Sequence, residues 1–247
     1  MIDGKTIIDY HGHTGRFEIF LAMDDLDTII RALDRACIDR ACLFNIFHPD
    51  GTTGNDQTAA AVARYPDRLV GFAYVSPLMP HRMLPELERA VDDLGFPAIK
   101  LYPPYTPFEA DDAAWDPVYQ FADDRKLPII VHTGSDAPPV FLGKAAPRFP
   151  NAAFIAAHIG NSEPYRGQCI EAAQRSPNFY VETCSTWRTP GVIEEVVAKI
   201  GADRVLYGSD IALMDPRSQI GKIITADISD ADKELILGGN AQRLLGL

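Results

Sequence analysis

Short apolar runs alternate with amphipathic stretches along the whole chain, and the alternation recurs eight times. The first run, residues 6–10, stops abruptly at His11-Gly12-His13. Across residues 24–37, Leu26, Ile29, Ile30, Leu33 and Cys37 fall at helical spacing, which predicts an amphipathic helix. A second apolar run, residues 41–47, is closed by the turn signal His48-Pro49-Asp50-Gly51, and an alanine-rich helix is predicted over 56–65. Further strands are predicted over 69–75, 97–102, 127–132, 152–158, 178–183 and 205–207, with helices over 83–94, 113–124, 162–175 and 191–200. Residues 141–144 fit one short helix, and a last helix falls within 230–247.

Several of these strands are continuously apolar, as a parallel sheet covered on both faces requires. Eight βα units in 247 residues predict an α/β chain forming a closed (β/α)₈ TIM barrel, one domain over residues 1–247. In such a barrel the chemistry gathers at the carboxyl ends of the strands. An open doubly wound sheet would instead want a phosphate-binding glycine loop after the first strand, and histidines stand there.

A formal charge of -11 with both signs interspersed argues against nucleic acid or an anionic membrane as partner. No apolar run approaches the roughly 20 residues of a membrane span, and the N-terminus enters the first strand without a basic-then-apolar leader. Cys37, Cys42, Cys169 and Cys184 form no C-x-x-C pair and read as buried free thiols in a reducing compartment. These features predict a soluble cytoplasmic protein acting on a small molecule, with homo-oligomerisation left open.

Side chains two apart on a strand share a face, so His11 and His13 point the same way at a spacing that suits one metal ion. On the predicted barrel His132, His158 and Asp210 also end strands, Lys100 lies near the end of the fourth, and all converge on one mouth. Neutral imidazoles with a carboxylate are a ligand set for Zn²⁺ or another divalent first-row ion. Arg16, Asn45, His48, Tyr102, Tyr105, Trp187 and Arg188 leave strand ends as candidate substrate contacts, whereas His81 reads as surface. Glu182 is placed either facing the mouth or pairing with a base below it.

The order His-x-His, His, His, Asp along eight strands resembles the amidohydrolase superfamily, and more closely its amidohydrolase-related (amidohydrolase 2) branch of metal-dependent hydrolases. The stretches Ile8-Asp9-Tyr10-His11-Gly12-His13, Ala157-His158-Ile159-Gly160, Leu206-Tyr207-Gly208-Ser209-Asp210 and Gly239-Asn240-Ala241-Gln242-Arg243-Leu244-Leu245 carry the likeness over nearly the whole chain. The resemblance implies that His11, His13, His132 and Asp210 hold one metal ion. It makes Asp210 the base that activates water, with His158 beside the metal orienting that water or polarising the scissile carbonyl. The stretch Ile99-Lys100-Leu101-Tyr102-Pro103 is similar to a segment of dihydroorotases in which the lysine is carboxylated and bridges two metals. On that reading His132 and His158 would hold the second ion; otherwise Lys100 is an ammonium that binds an anionic substrate.

The resulting expectation is a metal-dependent hydrolase of a small carboxylate, lactone or amide. The alternative is a metal-dependent non-oxidative decarboxylase of an aromatic or unsaturated acid, which would share the ligands and differ in the pocket. A catalytically inert metal-binding barrel ranks below both, because Asp210 is present.

Overall fold

The computed structural model describes residues 4–15, 25–185, 187 and 189–247. Arg16 and Arg188, two of the candidate substrate contacts, lie outside the described residues, as does residue 24 at the start of the first predicted helix. Among the described residues, eight parallel strands run in chain order: β1 Ile8–His13, β2 Arg40–Phe44, β3, β4 Ile99–Leu101, β5 Pro128–Val131, β6 Ala153–Ala156, β7 Phe179–Glu182 and β8 Val205–Leu206. β3 comprises Leu69–Gly71, paired with β2, and Ala73–Tyr74, paired with β4, so it changes partner at Phe72. The ring closes where Tyr10 N donates to the Tyr207 carbonyl at 2.9 Å and Asp210 N to that of His11 at 2.8 Å.

Residues of alternate parity separate the two cores. Ile8, Tyr10, Cys42, Phe44, Phe72, Tyr74, Ala98, Ile130, Ile155 and Leu206 fill the barrel interior, as the side-chain period of a strand dictates. Leu43, Ile99, Leu101, Ile129, Val131, Phe154 and Val181 face outward onto the helices. The predicted helices form with shifted ends: Leu26–Arg35, Thr52–Arg64, Pro80–Glu88, Asp116–Arg125, Tyr165–Arg175 and Val192–Ile200. The short segment expected at 141–144 is a helix over Pro139–Ala145. No strand or helix was expected between 211 and 229, yet Pro216–Ile224 is helical, with Pro216 at its first position and Asp215 accepting from Arg217 N at 2.9 Å. Only Ile220, Ile223 and Ile224 supply apolar period there, whereas the Asp-Pro start signal was readable.

No disulfide forms among the four cysteines, and three of them are buried. The expectation of burial fails at Cys37, which is exposed just beyond the first helix with φ 58. Among the described residues no helix is long and apolar enough to cross a membrane.

Candidate active site

A cavity of about 190 Å³ opens at the carboxyl end of the barrel, lined by His11, His13, Lys100, His132, His158 and Asp210, with Ile46, Tyr102, Asn161, Ser185, Leu213 and Met214 beside them. All six residues expected at the mouth are therefore brought together. The way β1 delivers its histidines differs from simple alternation. Asp9 pairs with Ala41 but Gly12 with Leu43, so three steps on β1 oppose two on β2. This bulge reverses the parity of the strand. Ile8 and Tyr10 point into the barrel before it, and His11 and His13 point inward after it, with ring centroids 5.0 and 4.7 Å from Phe44.

Glu182, the last residue of β7, is fully buried and places Oε2 2.9 Å from His11 Nδ1. Of the two positions open to it, it takes the pairing with a base. It also accepts from His158 N at 3.4 Å, from Cys184 Sγ at 3.0 Å and from Cys184 N. Burial nevertheless pushes its pKa up to about 8. When Glu182 is ionised, the proton between them sits on His11 Nδ1 and leaves Nε2 as a lone pair inside the pocket. Burial, reinforced by the Lys100 charge, holds His11 well below the usual histidine range, so its ring is neutral. Burial lowers His13 as well.

Asp210 follows β8 in the left-handed region, at φ 63, held by its own N–H on the His11 carbonyl. The turn is fixed by Ser209, whose N–H donates to Asp9 Oδ1 at 2.8 Å and whose Oγ donates to Asp9 Oδ2. Asp210 Oδ1 lies 2.9 Å from His13 Nε2 and 3.4 Å from His11 Nε2. Burial opposes its charge, but the His13 imidazole and the fields of His158 and Lys100 hold it down at about 2. Two imidazole nitrogens and a carboxylate oxygen, all buried and within 4.8 Å of one another, are donors of the kind that bind a divalent ion.

The other two histidines form a pair. His158 Nε2 lies 3.0 Å from His132 Nδ1, and His158 Nδ1 lies 3.0 Å from the Cys184 carbonyl, which can only accept. Burial and the neighbouring His132 press His158 down to about 3, so it is neutral. His132 Nε2 lies 3.2 Å from Asp136 Oδ1. His132 thus reaches the cavity but stands outside the close group formed by His11, His13 and Asp210. A second group of donors, His11, His158, Glu182 and Cys184, sits behind the first. The sequence marks Cys184 only as a small buried hydrophobe, since its spacing carries no ligand signal.

Lys100 is fully buried, with Nζ 3.4 Å from His11 Nε2 and 4.5 Å above the Phe44 ring; burial lowers its pKa to about 8. Tyr102 lines the cavity with its ring tilted against His132 at 4.6 Å, and exposed Tyr105 meets the Tyr102 ring, also tilted, at 4.5 Å. Trp187 Nε1 donates to the His158 carbonyl at 3.2 Å. Asn45 and His48 are not brought to the cavity. Asn45 donates to Gln57 Oε1 at 2.7 Å and accepts from Phe47 N at 3.0 Å, while the His48 carbonyl accepts from Gly51 N at 2.9 Å. His81 is exposed, on the first turn of its helix.

Among curated proteins, a γ-resorcylate decarboxylase of Polaromonas sp. is 24% identical over 90% of this chain and 84% of its own. Among solved structures, 2,6-dihydroxybenzoate decarboxylase from Rhizobium superposes with a TM-score of 0.81 at 20% identity, covering 98% of this chain and 99% of that one. A dihydroxybenzoic acid decarboxylase from Polaromonas sp. JS666, solved with bound manganese and 2-nitroresorcinol, gives 0.77 at 21% identity, covering 98% and 97%. The solved structures agree with a TIM barrel, and the family model described as amidohydrolase matches residues 8–247, so this chain belongs to the amidohydrolase 2 family.

Proposed function

We propose that this chain is a metal-dependent non-oxidative decarboxylase of a small aromatic acid. The observation that carries the reading is the kinship with γ-resorcylate decarboxylase over most of both chains, which favours the lyase alternative over hydrolysis. The pocket supports it: about 190 Å³ is below the range of drug-sized sites and suits a single ring, and Tyr102 gives that ring an aromatic wall.

His11, His13 and Asp210 would hold the ion, with His132 as the proposed fourth ligand through an Nε2 that would have to leave Asp136. A bound divalent cation would supply Lewis acidity, drawing negative charge from the substrate's oxygens. Manganese is the ion in one relative, and zinc fits the same donors. Glu182 orients His11, and outer partners of this kind fix ring orientation and raise ligand basicity. Lys100, an ammonium at neutral pH, receives the carboxylate that will depart.

Decarboxylation requires a proton on the ring carbon that carries the carboxylate, then cleavage of the C–C bond with its electron pair passing into the ring as carbon dioxide leaves. Asp210 rests as a carboxylate, so it takes a proton from the substrate's own hydroxyl and returns it to that carbon. The phenolate left after loss of carbon dioxide regains a proton from solvent, so one proton is consumed per turnover. His158 holds His132 in place through its neutral Nε2.

The test is product analysis on protein loaded with Mn²⁺ or Zn²⁺ and supplied with 2,6-dihydroxybenzoate and related hydroxybenzoates. Carbon dioxide and the matching phenol are expected in equal amounts. Hydrolysis of lactones or amides by the same preparation, with no carbon dioxide from any aryl acid, would return the chain to the hydrolases.

A further inference from the structure

Asn161 and Ser185 line the same cavity as His11 and Asp210, and the chemistry described so far uses neither. Ser185 Oγ lies 2.6 Å from Asn161 Oδ1. That separation is normal for O–H···O and short for N–H···O, so the hydroxyl donates and the Asn161 carbonyl oxygen is occupied. What Asn161 has left for a ligand is Nδ2, with two N–H donors.

Ser185 is fixed from behind. Its N–H donates to Gln219 Oε1 at 3.2 Å, and its carbonyl accepts from Lys222 Nζ, which also donates to Gln219 Oε1 at 2.7 Å. The Lys222 ammonium rests 4.5 Å over the Trp187 ring. Both oxygens it touches belong to neutral groups, so no contacting carboxylate offsets this half-buried cation beside the wall that carries Ser185 and Asn161, and burial lowers its pKa. The backbone is equally committed: His158, Ile159, Gly160 and Asn161 all have positive φ, in the turn that follows β6.

We infer that Asn161 Nδ2 is the recognition point for a second anionic oxygen on the substrate ring, a phenolate or a carboxylate other than the one that departs. The inference rests on the decarboxylase reading, which sends the departing carboxylate to Lys100 and the imidazoles. It makes the preferred substrate an aryl acid with two anionic oxygen groups, held by Lys100 and Asn161 on the wall of one small pocket.

The test uses Mn²⁺-loaded protein and a panel of 2-hydroxybenzoates that carry hydroxyl, carboxylate or methyl at each remaining ring position. Binding is read by calorimetry, and KM and kcat by carbon dioxide release. At one position the oxygen-bearing acid should bind about tenfold more tightly than its methyl isostere, the scale of a hydrogen bond to a charged group. Asn161→Ala should raise KM for that acid by about tenfold more than for the isostere, and Asn161→Asp, which sets charge against charge, should raise it further. Ser185→Ala, which frees the amide to rotate, should give part of the loss. Equal effects of Asn161→Ala on oxygen-bearing and methyl acids, or no discrimination in binding at any position, would overturn the inference. Absence of carbon dioxide release across the panel would instead sink the decarboxylase reading, with the calorimetric comparison still deciding what Asn161 recognises.

Discussion

His11 carries two jobs on one ring, and its neighbours assign them. Nδ1 faces Glu182 at 2.9 Å, while Nε2 faces Asp210 Oδ1 at 3.4 Å and Lys100 Nζ at 3.4 Å. Glu182→Gln keeps the shape but weakens the pull on the Nδ1 proton. Metal affinity is expected to fall about 10- to 100-fold, as for other partners of ligating histidines, and competition with a chelating dye measures it. Asp210→Asn removes the proton carrier, so turnover should drop about 10²- to 10⁴-fold at matched metal content. Near-normal kcat in that variant would assign proton transfer to another group. Lys100 gives a pH signature: burial lowers its pKa to about 8, so its positive charge disappears as pH rises through that value. KM for an aryl acid should climb above pH 8, and a Lys100→Met variant should have a high KM without that climb.

At the scale of elements, the parts of the site that end apolar runs were readable from sequence: His11, His13, His132 and the Asp210 turn each follow such a run. The bulge in β1 was not, because periodicity cannot register one inserted residue, yet it lets Tyr10 and His11 face the same interior. Asn161 was hidden for a related reason, since its position depends on successive positive-φ residues and not on a strand. Asn45 follows a strand without reaching the cavity because a short polar side chain there serves equally well to tie the loop to itself, as its bonds to Gln57 and Phe47 do, while at His48 it is the backbone carbonyl that closes the turn. The Pro216–Ile224 helix, too short to show a clear period, escaped in the same way. Gly208 links β8 to the floor of the site: a Cβ there would lie 2.2 Å from Glu182 Oε1 and 2.8 Å from His11 Cβ. Gly208→Ala must therefore push Glu182 off His11. Metal affinity should fall at least as far as in Glu182→Gln, with a loss of stability of about 1–3 kcal/mol from overpacking. Unchanged affinity and denaturation midpoint would show that the floor yields without cost.

For the molecule as a whole, buried ionisable groups around one pocket make stability depend on pH, and the direction follows group by group. Asp9 and Glu182 have folded pKa values raised by burial to about 7 and about 8, so between roughly pH 4 and 8 the folded chain holds more protons than the unfolded one. Their contribution therefore weakens as pH rises through that window. His11, His13 and His158 are lowered, so below about pH 6.5 the unfolded chain holds more protons, and their contribution grows as pH rises to that point. Three imidazoles outweigh two carboxyls on the acid side; from 6.5 to 8 the carboxyls lead, opposed increasingly by Lys100, whose pKa lowered to about 8 leaves the unfolded chain holding the extra proton. Metal-free protein should accordingly be most stable near pH 6.5 and lose stability toward pH 8, by up to about 1.4 kcal/mol per pH unit for each proton involved. A bound cation reverses the alkaline part, because it favours the ionised carboxyls and competes with protons for its ligands. The rise in Tm on adding Mn²⁺ or Zn²⁺ should thus be larger at pH 8 than at pH 6. Thermal melts of chelator-treated and metal-loaded protein across that range measure it, and an increment that stays constant or shrinks with pH would refute the placement of a cation among these groups.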